Sequence, residues 1–281
     1  MSDRCNDDII IDTFPNDGDK HLNLINASYA WKKTKGGNTK VLIIDSGVDV
    51  NHEDIAPSFV SGVNFVDMNK DLSDKYGHGT HVAGLIVGRK TGVAPESKLY
   101  VAKSLSDEGV GDARSIVEGI NYGINLKVDI IVMSLGHIGD MPKTISQAIV
   151  NAQSKGIIIV SAVGNDGIHK INAPARDVIG VGGVDDNLEY AKFSNRGEEL
   201  DMTAPSTNIL STYMDNKYAY MTGTSMATGI VAGALALIIS NARNNGISLT
   251  VNEVYNIIKG NNNNSHSHFY GYGVLDMKNF M

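Results

Sequence analysis

Five unbroken apolar runs punctuate this chain, and no other feature restricts its fold so sharply. They are Val41-Leu42-Ile43-Ile44, Leu99-Tyr100-Val101-Ala102, Ile130-Ile131-Val132-Met133 after Asp129, Ile157-Ile158-Ile159-Val160 and Val178-Ile179-Gly180-Val181. Short runs with no polar alternation suit strands buried on both faces. Helical patterns fall between them, over residues 112–126 and 142–154, and a small-residue helix opens at Tyr76-Gly77-His78-Gly79 and runs to Gly88. Strands alternating with helices predict an α/β fold, a parallel sheet covered by helices on both faces. A weaker strand is expected over 59–65 and a short helix over 22–31. Past Gly183 the alternation gives way to short strands around 200–203, 209–212 and 218–221. A buried helix over 225–239 and a last helix over 251–259 complete the pattern.

With 281 residues and 42% hydrophobic content, the chain can bury a large core. No internal repeat or long linker divides it, so one domain is expected. A net charge of −7 without a Lys/Arg cluster argues against nucleic acid or an anionic membrane as partner. The single cysteine, Cys5, excludes an internal disulfide. The start is polar and acidic, with Ile9-Ile10-Ile11 its one apolar run, which is not a secretory signal. No run of consecutive apolar residues is long enough to span a bilayer. These features predict a cytoplasmic protein. Asn261-Asn262-Asn263-Asn264 with Ser265-His266-Ser267-His268 is expected as surface loop, because no Cys or carboxylate completes a metal set there.

Sites in parallel sheets form where strands end in loops at their carboxyl edge. Asp45, Ser134-Leu135-Gly136 and Gly164-Asn165 each follow an apolar strand, while His78 and Ser225 open helices. Taken alone, Thr224 or Ser225 is most simply a helix cap. Asp45, His78 and Ser225 together supply more. A serine hydroxyl is a weak nucleophile, an imidazole can accept its proton near neutral pH, and a buried carboxylate can fix the imidazole tautomer.

Ile44-Asp45-Ser46-Gly47-Val48-Asp49, Gly77-His78-Gly79-Thr80-His81-Val82-Ala83-Gly84 and Gly223-Thr224-Ser225-Met226-Ala227 resemble the three signature blocks of the subtilisin-like serine proteases, in the same order. Met133-Ser134-Leu135-Gly136 resembles the family's pocket wall and Val163-Gly164-Asn165-Asp166-Gly167 its oxyanion segment. Phe193-Ser194-Asn195, Ala204-Pro205 and Gly271-Tyr272-Gly273-Val274-Leu275-Asp276 also fit. The resemblance implies a serine endopeptidase with Ser225 as nucleophile, His78 as base, Asp45 as orienting carboxylate and Asn165 as oxyanion donor. It implies a peptide or protein substrate held by Gly109, Val110 and Gly111 on one side and by Ser134, Leu135 and Gly136 on the other. His81 is implied to be structural, and Asp49 and Asp54 to be loop carboxylates. Asp107, Glu108 and Asp166 hint at tolerance for basic substrate side chains, and Asn172 at selection of a polar one.

The chain departs from the family where Gly229-Ile230 replaces the usual Pro and His. The glycine is expected to loosen the start of that helix, at about 1 kcal/mol relative to alanine. The short connection from Gly84 to Gly92-Val93-Ala94-Pro95 implies no tight calcium site, and no cofactor is expected. Residues 1–20 are expected as an extension and 21–281 as the catalytic domain, with neither prodomain nor signal. This combination resembles intracellular members, including those that remove leaders from modified peptides, and general protein turnover is the competing use. A catalytically silent peptide binder is the rival from another class, and a peptide cyclase would need a lid insertion that is not seen. Ile9-Ile10-Ile11-Asp12-Thr13-Phe14-Pro15 is expected to lie in the cleft as a false substrate, so that deleting the residues before Asp17 would change activity.

Overall fold

The computed structural model describes residues 9–16, 18–137, 139–261 and 264–281. Cys5 and its acidic surroundings, Asp17, and Asn262-Asn263 of the asparagine run lie outside the described residues. The strands are β1 (Ile9–Ile11), β2 (Lys40–Asp45), β3 (Phe59–Asn64), β4 (Lys98–Lys103), β5 (Ile130–Met133), β6 (Ile158–Ala162), β7 (Ile179–Val184), β8 (Met202–Pro205), β9 (Ile209–Tyr213) and β10 (Lys217–Met221). The helices are α1 (Lys20–Leu24), α2 (Ala27–Trp31), α3 (His78–Val87), α4 (Ala113–Leu126), α5 (Lys143–Ser154), α6 (Thr224–Asn244) and α7 (Val251–Gly260).

Seven strands form one sheet in the order β3-β4-β2-β5-β6-β7-β8, and every neighbouring pair is parallel. Successive side chains of a strand point to opposite faces, and here both faces are covered. Val41 and Ile43 join Val132, Val160 and Val181 in a core shared with α3 and α6. Leu42 and Ile44 join Ile131, Met133 and Ile159 against α4 and α5. Two apolar faces leave no place for polar alternation, which is why these strands are unbroken apolar runs.

Local chemistry sets the helix ends. Asp112 caps α4 by accepting from Ser115 N at 2.6 Å, and Thr250 and Glu253 form a reciprocal capping box at the start of α7. The helix expected over 22–31 is two, because Asn26 takes a left-handed conformation with φ 55° between α1 and α2. Asparagine adopts that region more readily than most residues. The helix α6 runs on past Ile239 to Asn244. Its last turn is polar, so it falls outside the apolar pattern, and Arg243 there pairs with Asp129. Although α6 is long and apolar enough to cross a bilayer, 89% of its apolar window is buried inside the protein, as for a core helix. Gly229 also has a packing reason. A Cβ there would stand 3.2 Å from both Leu85 Cβ and Val82 O, so the glycine lets α6 lie close on α3.

The remaining strands, β1, β10 and β9, form a separate antiparallel sheet. This corrects the expectation for the N-terminal segment. Ile9, Ile10 and Ile11 pair with Tyr220, Ala219 and Tyr218, and Phe14 packs edge-on against Tyr218 at 5.3 Å. Their backbone bonds thus go to the free edge of β10, not to residues 109–111 or 134–136. An exposed strand edge is a ready partner for a short apolar segment, and the edge of β10 is where Ile9–Ile11 lie.

At the start of β8, burial raises Asp201 from the usual carboxylate range to about 7, despite a hydrogen bond from Gly180 N at 2.8 Å. The folded state therefore keeps a proton that the unfolded chain releases near pH 4, so stability falls as pH rises from about 4 to about 7. Asp201→Asn is expected to remove this slope, worth on the order of 3 kcal/mol. Thermal melts of both proteins at pH 4.5 and 7.5 check it, since only the difference between them isolates Asp201.

Candidate active site

The site is built at the carboxyl edge of the parallel sheet. Asp45 ends β2 and is fully buried. Its Oδ1 accepts from His78 Nδ1 at 2.8 Å and from Ser46 N at 2.8 Å. A carboxylate partner requires the hydrogen to be on Nδ1, so that in the neutral tautomer Nε2 is the basic nitrogen. His78 is the first residue of α3 and is 3% exposed.

Ser225 lies one strand over. The β2–β5 ladder places Ile43 opposite Val132, and two residues further on it leads to Asp45 and Ser134. Ser225 Oγ donates to Ser134 O at 3.4 Å, which puts the hydroxyl beside the segment that follows β5, the strand next to the one Asp45 ends. Helices α3 and α6, which begin at His78 and Thr224, pack against each other in one core. Ser225 is not the cap of α6. The N-cap is Gly223, which has no side chain, and Asn165 Oδ1 supplies the missing acceptor to Thr224 N at 2.8 Å and Thr224 Oγ1 at 2.9 Å.

Asn165 follows β6 in a turn that only glycine can begin. Gly164 has φ +106°, and a Cβ there would stand 2.2 Å from Asn172 Nδ2. Asn195 holds the turn, accepting from Asp166 N and Ile168 N and donating to Val163 O. Because Asn165 Oδ1 is committed to Thr224, its Nδ2 is left as the donor end of the amide. A Cβ on Gly223 would lie 3.3 Å from that Nδ2, which places the amide nitrogen beside the turn into Ser225.

The two proposed flanks differ in character. Segment 134–137 runs against 171–173, with His137 and Ala173 exchanging backbone bonds at 2.9 and 3.1 Å. Asn172 is buried there beside Gly136. Segment 105–111 turns back on itself, with Ser106 N bonded to Val110 O and Gly109 N to Ser106 O, while the Val110 side chain is 66% exposed. Asp107 is held well below the usual carboxylate range by Lys103 and Lys75, which donate to it at 2.9 and 3.0 Å. Its charge is therefore largely answered within the chain.

His81 is structural. Its Nε2 stands 3.0 and 2.9 Å from the carbonyls of Ile209 and Ala219, and burial lowers its pKa to about 3. It stays neutral at any physiological pH. Asp49 and Asp54 accept loop amides, from Asn216 N and Lys90 N respectively. Among the described residues no three His, Cys, Asp or Glu side chains converge as a metal would require. Two groups escaped sequence reasoning. Asp74, in the loop before α3, is buried, and so is Lys103, whose Nζ donates to Ser46 O at 2.6 Å and Ser73 O at 3.0 Å. For Asp74 a signal existed, since a carboxylate just ahead of a helix start is a capping cue.

The class of fold is α/β, a parallel sheet flanked by helices, with a buried acid–imidazole pair where β2 and α3 meet and a buried hydroxyl at the start of α6. The model of the subtilase family matches residues 36–273. The chain is 43% identical over 237 residues to the major intracellular serine protease of Bacillus subtilis (strain 168), covering 78% of this chain and 74% of that protein. It is 40% identical over 233 residues to the intracellular serine protease of Paenibacillus polymyxa, at 77% and 71% coverage. It is also 39% identical over 257 residues to subtilisin DY of Bacillus licheniformis, at 87% and 91% coverage. The chain belongs to the subtilase family, and is a subtilisin-like serine endopeptidase whose substrate is a peptide or protein.

Proposed function

We propose that Ser225, His78 and Asp45 carry the reaction, in residues 21–281 as the catalytic domain, with residues 1–20 as an extension. The Ser225 hydroxyl attacks the scissile carbonyl while His78 Nε2 takes its proton. The same proton then goes to the leaving amine, and water hydrolyses the acyl-enzyme by the reverse use of His78. Asp45 holds the ring in the tautomer that this requires. Asn165 Nδ2 and the Ser225 backbone N–H receive the oxyanion, and residues 109–111 and 134–136 flank an extended substrate. The observation that carries this reading is the 2.8 Å bond between His78 Nδ1 and the buried Asp45.

For the cellular use, we propose removal of a leader from a peptide precursor in the cytoplasm, with neither nucleic acid nor membrane as partner. General protein turnover is the second reading. The names of the two intracellular relatives support the cytoplasmic setting and are equally suited to turnover. Digestion of a proteome-derived peptide library separates the two uses. Precursor processing predicts one narrow cleavage consensus, and cutting across many unrelated sequences would contradict it.

A further inference from the structure

Asp74 is only 7% exposed and gathers five donors. Its Oδ1 accepts from Gly77 N at 2.8 Å, Ser46 Oγ at 2.9 Å and Tyr76 N at 3.1 Å. Its Oδ2 accepts from Thr80 Oγ1 at 2.7 Å and Thr80 N at 2.8 Å. Helix α3 begins with His78, and its N-cap, Gly77, has no side chain to offer. Asp74 therefore supplies the cap for the helix that presents the imidazole.

The bond from Ser46 reaches further. The Ser46 hydroxyl has one hydrogen and two acceptors in reach, Asp74 Oδ1 at 2.9 Å and Asp45 Oδ1 at 3.2 Å. It meanwhile accepts from Gly79 N at 3.1 Å. The shorter contact directs the hydrogen to Asp74, leaving Asp45 Oδ1 to the His78 Nδ1–H and the Ser46 backbone N–H. A further donor on Asp45 would stabilise its charge locally and weaken its hold on a protonated imidazole.

We propose that Asp74 is a positioning residue for the Asp45–His78 pair, fixing the start of α3 and drawing the Ser46 hydroxyl away from Asp45. The proposal rests on the catalytic roles assigned above. Among the described residues, the charged and titratable groups around His78 include Asp45 and Asp74, Tyr76 with its ring 6.3 Å away, the neutral His81 one turn along α3, and Lys103 through Ser46 O. Asp74→Asn removes one negative charge from this set and frees the Ser46 hydroxyl to turn toward Asp45. Both changes disfavour the imidazolium, so the acid limb of the kcat/KM profile moves to lower pH.

Asp74→Asn is expected to lower kcat about tenfold, as loss of one charge-assisted hydrogen bond does, with KM nearly unchanged. Thr80→Val removes one donor of the cap and is expected to leave the acid limb in place. Ser46→Ala is also expected to leave it in place, because the hydroxyl already points to Asp74. An Asp74→Asn limb that does not move, with a cost no different from Thr80→Val, would reduce Asp74 to a helix cap and overturn the proposal. Should Asp74→Asn fail to fold, Ser46→Ala decides alone, since a limb shifted to higher pH would place the hydroxyl on Asp45. A fluorophosphonate probe keeps the two claims apart. If wild type labels at Ser225 and Asp74→Asn labels there more slowly, the underlying roles stand. If wild type does not label at all, those roles fail and this proposal falls with them.

Discussion

A chain carrying Ser225→Ala is expected to lose about 10⁶ in kcat on a peptide substrate, the size of loss found in subtilisin, a member of the same family. The reason is local. Ser225 is the hydroxyl at the start of α6, bonded beside the end of β5, and the neighbouring β2 ends at the buried Asp45 that holds His78. His78→Ala should cost nearly as much, and the double variant little more, because the hydroxyl and the imidazole act as one unit. Single-turnover cleavage of a fluorogenic peptide measures all three. Additive losses would mean that the two side chains work independently, against the roles given to them here.

The second large effect is expected at Asn165. Asn165→Ala should lower kcat by about 10²–10³ with little change in KM, again the magnitude known from subtilisin for loss of one oxyanion donor. This asparagine does two things at once. Its Oδ1 caps α6 at Thr224, and its Nδ2 is the donor proposed above for the oxyanion. The same variant should therefore also lose about 1 kcal/mol of stability, as for a removed cap. Thermal melts beside steady-state kinetics separate the two contributions. A fall in stability with kcat intact would leave Asn165 with only its capping role.

The sheet was legible because burial on both faces writes itself as unbroken apolar runs. Each of the five strong runs lies on a strand of the parallel sheet, and the short strands past Gly183 were placed to within about two residues. What escaped was set by tertiary contacts. The left-handed Asn26 divides one expected helix into two, and the free edge of β10 recruits Ile9–Ile11 away from the cleft. At the site, Asp45, His78, Asn165 and Ser225 were visible as motif residues at strand ends and helix starts. The side chains that support them were not. Asp74 and Lys103 look like ordinary charged loop and strand residues until folding buries them, and Gly229 looks like a weakness until α3 is seen against it.

The most direct measurement is fluorophosphonate labelling of the intact chain, followed by peptide mapping of the modified residue. Stoichiometric labelling on Ser225 with loss of peptidase activity is expected, slowed by His78→Ala and abolished by Ser225→Ala. Absence of labelling in a folded wild-type protein, or attachment to any other residue, would contradict the central claim.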